Sequence, residues 1–127
     1  MKKIIATPLK CVDNVRFGMK REEVRNRFGK FSEFRKSQFS NNTTDDFGWC
    51  HVYYDKDDRC EAIEIFDGEV FVDDVKVFPV DPSEFDKVFD DIAEDDEGYL
   101  SEKYSVGVYS PDDTMEGILF GAKGYYN

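Results

Sequence analysis

The chain reads as an α+β protein, an antiparallel β-meander sheet with two helices packed on one face, and three observations predict it. Runs rich in aromatic and branched residues fill the middle and end of the sequence, separated by short Asp- and Gly-bearing turns, the punctuation of consecutive hairpins. Two segments carry helix start signals ahead of apolar residues at helical spacing. The 127 residues are the size of one domain and show neither an internal repeat nor a linker, so residues 1–127 are expected to form a single α+β domain.

The first helix signal is "VRFGMKREEVRNRFG", residues 15–29. Val24 and Phe28, four apart, fall on one helical face, Met19 is placed to close over Val24 as a staple, and Gly29 supplies the stop. Lys20 falls at the N-cap and Glu23 at the third helical position, half of a capping box; the missing Ser or Thr costs about 1 kcal/mol. Lys20, Arg21, Arg25 and Arg27 are expected on exposed faces. Residues 31–39 alternate aromatic with basic, and "SNNTTDD", 40–46, reads as a polar loop.

Strands follow. "FGWCHVYYD" and "RCEAIEIF", separated by the turn-forming "KDD", predict a hairpin; Asp67-Gly68 makes a second turn before "EVFV", and Asp73-Asp74 a third before "VKVF". The second helix is signalled by Asp81 as cap, Pro82 at the first helical position, Glu84 for a capping box and Val80 stapling to Phe85, with Phe85, Val88, Phe89 and Ile92 as one buried face; it runs out in "EDDEG", 94–98. "KYSVGVYS", the turn "PDD" and "MEGILFG" predict a closing hairpin. With 12 Phe, 7 Tyr and 1 Trp, large rings should supply much of the buried area.

Charge narrows the partners. A formal net charge of −11 repels nucleic-acid phosphates and anionic lipid surfaces, so neither nucleic acid nor membrane is an expected partner, and a basic protein is. The charge is uneven: residues 1–40 carry eleven Lys or Arg against four Asp or Glu, and residues 41–127 carry six against twenty-four. The three cysteines, Cys11, Cys50 and Cys60, are odd in number and form no CxxC pair, which predicts free thiols and a cytoplasmic protein. "MKKIIATPL" is too short for a secretory signal and is interrupted by Pro8, Lys10 stands where lipoprotein processing at Cys11 would need a small residue, and no run approaches the roughly 20 apolar residues of a membrane span.

Few constellations carry chemistry. His51 is the only histidine and a candidate general base, yet it sits in a strand between Cys50 and Val52, with no nucleophile motif, and adjacent strand residues point to opposite faces, which disfavours a Cys50–His51 pair. "DKDD", 55–58, fails as a calcium loop because Cys60 and Phe66 occupy the positions that need Gly and Glu. Neither GxGxxG nor GxxxxGK[ST] occurs, and twenty-eight acids contain some carboxylate pairs by abundance alone. The basic stretch interleaved with Phe28, Phe31 and Phe34 has the spacing of helix and core rather than of a nucleic-acid site. No catalytic residue, metal site or cofactor is therefore expected. The remaining candidates are partner-binding acids, Asp55, Asp57 and Asp58 in one loop and Asp90, Asp91, Glu94, Asp95, Asp96 and Glu97 in another, with Tyr53, Tyr54, Tyr99, Tyr125 and Tyr126 as possible anchors. Plain solubility accounts for the same charge.

The phrase "VRFGMKREEVRNRFG" resembles the strand, Gly-Met, capped helix and closing Gly that open small α+β domains of the BamE family of outer-membrane assembly lipoproteins; the likeness covers about fifteen residues, and without the lipoprotein signal and the Ser or Thr cap the envelope role is not carried over. Over "TTDDFGWCHVYYDKDDRCEAIEIFDGEV" and "GILFGAKGYY" the chain is similar to small acidic bacterial proteins, some of which serve as immunity partners of polymorphic or contact-dependent toxins. That resemblance implies binding and neutralising a toxin without catalysis and supplies no site residues. The expectation is thus a non-enzymatic immunity protein, monomer or weak dimer, that binds a basic toxin domain, such as a nuclease, through an acidic surface. The alternatives are a structural or regulatory interaction module with another partner and a small enzyme with its site at His51.

Overall fold

The computed structural model describes residues 2–40 and 42–126, so Asn41 of the expected polar loop lies outside the described residues. The elements run β1 (Lys3–Thr7), β2 (Cys11–Val12), β3 (Val15–Arg16), α1 (Arg21–Phe28), β4 (Ser32–Phe34), β5 (Thr44–Asp46), β6 (Cys50–Tyr54), β7 (Cys60–Ile65), β8 (Glu69–Val72), β9 (Val75–Phe78), a 3-10 helix (Pro82–Lys87), β10 (Ala93–Asp95), β11 (Gly98–Ser101), β12 (Val106–Tyr109) and β13 (Gly117–Gly121). Strands hold 42% of the chain and helices 11%, which overturns the expected α+β meander with two packed helices. There are two sheets: one of five strands, ordered β3-β2-β1-β8-β9, and one of eight, ordered β10-β11-β12-β13-β7-β6-β5-β4. The first contains a parallel pair, β1 with β8, so the chain changes sheet at Asp67-Gly68 instead of turning back on β7.

The second expected helix fails beyond its first turns for a physical reason. Its start is as read, with Asp81 accepting from the Ser83 amide and Pro82 following, but the Glu84 side chain bonds Lys87 in place of closing a capping box. Only a 3-10 segment forms, since an isolated helix of this length is marginal and its C-terminal turn would hold Asp90 and Asp91 against the helix dipole. Those two carboxylates are drawn to the β11–β12 connection, Asp90 to Lys103 and Asp91 to Ser101 and the Lys103 amide. Phe85 and Phe89 still reach the core, at 1% and 0% exposure. The segment 94–98, expected as the helix end, lies instead in the β10–β11 hairpin.

Alternation sorts the eight-stranded sheet into two faces. Cys50, Val52 and Tyr54 on β6, Ile63 and Ile65 on β7, Ile118 and Phe120 on β13, and Val106 and Val108 on β12 point inward. They join one buried cluster with Ile4 and Ala6 of β1, Val70 and Val72 of β8, Val24 of α1, and Phe85 and Phe89. The opposite face carries a cross-strand row spanning all eight strands: Ser32, Asp46, His51, Glu64, Leu119, Gly107, Leu100 and Ala93 are successive register partners. Among the described residues, no helix is long and apolar enough to cross a membrane.

The thiols give a direct check on this layering. Cys50 and Cys60 are buried and Cys11 is partly exposed; none forms a disulfide. Burial pushes the Cys60 thiol up to about 12 and raises that of Cys50 further, so neither yields thiolate while folded. Native protein is expected to react with one equivalent of a thiol reagent, at Cys11, and with three after unfolding. Rapid native modification of two or more thiols would contradict the inward placement of β6 and β7.

Candidate functional site

The helix phrase at residues 15–29 delivers a dense, largely buried polar cluster. α1 begins at Lys20, which has no side-chain cap bond, and ends at Gly29 with φ +90°, as the sequence predicts. Arg21 and Arg25, expected on exposed faces, instead meet Asp45, whose side chain is fully buried on the inner face of β5. Arg25 grips it bidentately, Nε to Oδ2 and Nη2 to Oδ1, both at 2.8 Å; Arg21 Nη1 reaches Oδ1 at 3.2 Å, and the Tyr54 hydroxyl donates to Oδ2 at 2.8 Å. Arg21 then spreads its remaining donors over Asp58 Oδ1, Asn42 Oδ1 and the Thr43 carbonyl, with its guanidinium 3.9 Å from the Tyr54 ring centre. Four donors on one carboxylate satisfy it, and no buried side-chain polar atom among the described residues lacks a partner. This cluster joins α1, β5, β6 and the β6–β7 turn, and with its buried donors and acceptors engaged internally it is architecture.

The outer face of the eight-stranded sheet is different. His51 lies between Phe34 and Phe66, with ring centroids at 5.0 and 4.9 Å, and its Nε2 is 3.6 Å from Asp46 Oδ2. Further along the row, the Tyr53 hydroxyl donates to Glu64 Oε1 at 2.8 Å. The C-terminal tyrosines lie on this face where strand glycines leave room: a Cβ on Gly121 would sit 2.7 Å from Tyr125 Cβ, and one on Gly107 would sit 2.2 Å from the Tyr126 hydroxyl. Phe34, Phe66 and Tyr109 remain 37%, 38% and 44% exposed, so the face presents aromatic rings interleaved with carboxylates.

Two grooves flank the tyrosine pair. The larger, about 530 Å³, runs between Tyr53, Tyr125 and the β6–β7 turn and contains Asp55, Asp57 and Glu61 together with Lys36 and Lys56. Burial, and then the neighbouring Asp55, raise the Glu61 carboxyl above its ordinary value. Asp55 is committed to the turn, its Oδ1 accepting from the amides of Asp57 and Arg59, so the two acids do not make a free pair. The second groove, about 310 Å³, is walled by Tyr109, Tyr126, Leu100 and Leu119, with Glu64, Asp95 and Glu97 as its charged lining and no Lys or Arg.

The nine acids singled out from the sequence therefore divide by chemistry. Asp58 and Asp91 are spent internally, the first on Arg21 and Asn42, the second on Ser101 and a backbone amide. Asp90 is exposed but paired with Lys103. Asp55 and Asp57 line the larger groove, and Asp95 and Glu97 line the second. Glu94 and Asp96 lie on exposed ground at the β10–β11 hairpin. The loops 55–58 and 90–97 do not make one patch, because β7 and β10 are four strand steps apart, roughly 20 Å. Sequence reasoning missed Glu64, which the "CEAIEI" alternation marks as an outward strand residue, and the meaning of Gly107 and Gly121, strand glycines that signal a close approach. Among the described residues, no group of three or more His, Cys, Asp or Glu is placed to hold a metal ion.

Two internal acids set the expected acid response. Burial works to raise both carboxyls, but hydrogen bonds from Asn42 and Arg21 to Asp58, and from Ser101 and the Lys103 amide to Asp91, outweigh it and hold each below the ordinary Asp value. A depressed folded value means the unfolded chain binds more protons near pH 4. The stabilisation is present at neutral pH and is lost as pH falls from about 4 through the folded values. Thermal midpoints followed from pH 7 to pH 2 should be flat to about pH 5 and then fall, and Asp91→Asn should flatten part of that fall; a midpoint that rises on acidification would reverse the sign. No family model matches the chain, and comparison with curated proteins and with solved structures likewise finds no match.

Proposed function

We propose that this is a non-enzymatic binding protein of the immunity type, which docks on a basic domain of a toxin, a nuclease being the class whose phosphate-binding surface best complements a chain of net charge −11. The observation that carries the reading is the outer face of the eight-stranded sheet, where half-exposed Phe34, Phe66 and Tyr109 alternate with Asp46, Glu64 and Asp95 along paired strands. Aromatic rings in such a surface provide desolvated anchors, while the carboxylates around them steer a cationic partner and reject neutral ones. The sharper expectation of two acidic loops is here narrowed: Asp95 and Glu97 belong to the sheet face, Asp55 and Asp57 to the groove beside it, and Asp58 and Asp91 serve the fold. The enzyme alternative gains nothing from His51, which is clasped by two phenylalanines and lines neither of the two grooves beside the tyrosine pair.

Coexpression with the product of the adjacent reading frame is the test. A stoichiometric complex, rescue of cells from that product, and loss of rescue on Tyr109→Ala are expected. Failure to protect would end the toxin reading, and a complex with a non-toxic partner would favour an interaction module.

A further inference from the structure

The groove beside Tyr126 combines three features. It has aromatic and aliphatic walls, Tyr109, Tyr126 and Leu119; it has three carboxylates from two strands and a turn, Glu64 of β7, Asp95 of β10 and Glu97 of the β10–β11 turn; and no cation among the described residues lines it. The larger groove, by contrast, already contains Lys36 and Lys56, and Asp90 is paired with Lys103. Glu64 gives Oε1 to Tyr53 and Asp95 gives Oδ1 to the Glu97 amide, so each keeps its second oxygen; Glu64 Oε2 lies near Gly117, the register partner of Tyr109. Burial first, then Tyr125, Glu64 and Asp95, hold the Tyr126 phenol above its ordinary value, so it stays a neutral wall with both carboxylates near it.

We propose that this groove receives an arginine side chain of the basic partner, an inference that rests on the binding reading above and names its anchor point. The carboxylates are too dispersed for a metal ion, consistent with the absence of any metal-holding group of His, Cys, Asp or Glu among the described residues. A guanidinium fits them better than an ammonium. Its five N–H donors lie in a planar fork that reaches separated acceptors, its face stacks on a tyrosine ring, and it is more weakly hydrated. Glycine at position 107, between its register partners Leu119 and Leu100, leaves the space that the Tyr126 hydroxyl occupies, so the tyrosine can form a wall of the groove. A long stem is needed to pass the apolar walls before the charge meets the acids, which an arginine provides.

Titration of the full chain with three short blocked peptides, containing arginine, lysine or the neutral isostere citrulline at one position, tests this by amide NMR shifts. The arginine peptide should shift Leu100, Gly107, Tyr109 and Leu119, bind more tightly than the lysine peptide and leave the citrulline peptide silent. Glu64→Gln, which keeps an acceptor for Tyr53, and Asp95→Asn, on an exposed edge strand, should each weaken binding roughly tenfold, the scale of one hydrogen bond to a charged group. Equal shifts over all acidic loops, abolished by moderate salt and indifferent to both variants, would mean unspecific attraction and overturn the proposal. The two readings separate cleanly: a partner complex whose affinity ignores Glu64→Gln and Asp95→Asn sinks the arginine site alone, and arginine binding without protection from the adjacent gene product sinks the toxin reading alone.

Discussion

Asp45→Ala is expected to lose about 3–5 kcal/mol of stability, the range found when one member of a buried ion pair is removed and its partners stay behind. For a chain of this size that corresponds to a fall in melting temperature of roughly 10–20 °C. The magnitude follows from asymmetry. Two guanidiniums and a phenol converge on a carboxylate with no solvent exposure, and deleting it takes an acceptor from all three. Arg25 suffers most, since both of its short bonds go to Asp45 and only a longer contact to Glu33, 3.3 Å, remains. Arg21 keeps Asp58, Asn42 and the Thr43 carbonyl, so α1 should stay docked at its first turn and loosen at its second. Asp45→Asn retains an acceptor and should cost less. Urea unfolding with both variants measures the effect, and a loss below about 1 kcal/mol for Asp45→Ala would show that the cluster is dispensable.

That cluster also explains which parts of the chain are legible. The β6–β7 and β12–β13 hairpins and the β8–β9 turn could be read directly, because alternation and Asp- or Gly-bearing turns are local signals; Asp73 and Asp74 adopt φ +50° and +67° as a tight turn requires. α1 was legible from Lys20 to Gly29, but the destination of its arginines was not, since the polar run "SNNTTDD" conceals a buried strand whose Asp45 is inward only because β4 and β6 flank it. Burial of this carboxylate depends on partners nine to twenty-four residues away, which no local period encodes. β1 and β2 were missed: β2 has only two residues, and in β1 the exposed Ile5 beside buried Ile4 hides the alternation, while part of its pairing is parallel to the distant β8. Of the site, the acids and tyrosines were legible as types; that Glu64, Asp95 and Tyr126 converge follows from strand order alone.

Gly98→Ala should be the most damaging single methyl group in the protein, and its damage should be local. Gly98 opens β11 at φ +155°, and a Cβ there would lie 1.8 Å from the Val108 carbonyl oxygen, a backbone atom that cannot rotate away. Strain at such a φ and the forced separation of β11 from β12 each cost on the order of 1–3 kcal/mol. The cheapest relief is to release the hairpin, because β10 is a terminal strand with all three residues exposed and little burial to lose. Amide exchange should therefore accelerate across residues 93–99 while β6 and β7 keep their protection. Gly48→Ala is the control: its φ is +88° and nothing lies within 4 Å of the added atom, so about 1 kcal/mol of backbone strain is the whole effect. Function should follow the hairpin. Asp95 and Glu97 leave the groove when β10 detaches, so Gly98→Ala should lose arginine binding with the Asp45 cluster intact, whereas Gly48→Ala should keep both. Unchanged exchange in the 93–99 segment of Gly98→Ala would mean that β11 and β12 can part without releasing β10, and would remove the hairpin as the element that sets the groove's charge.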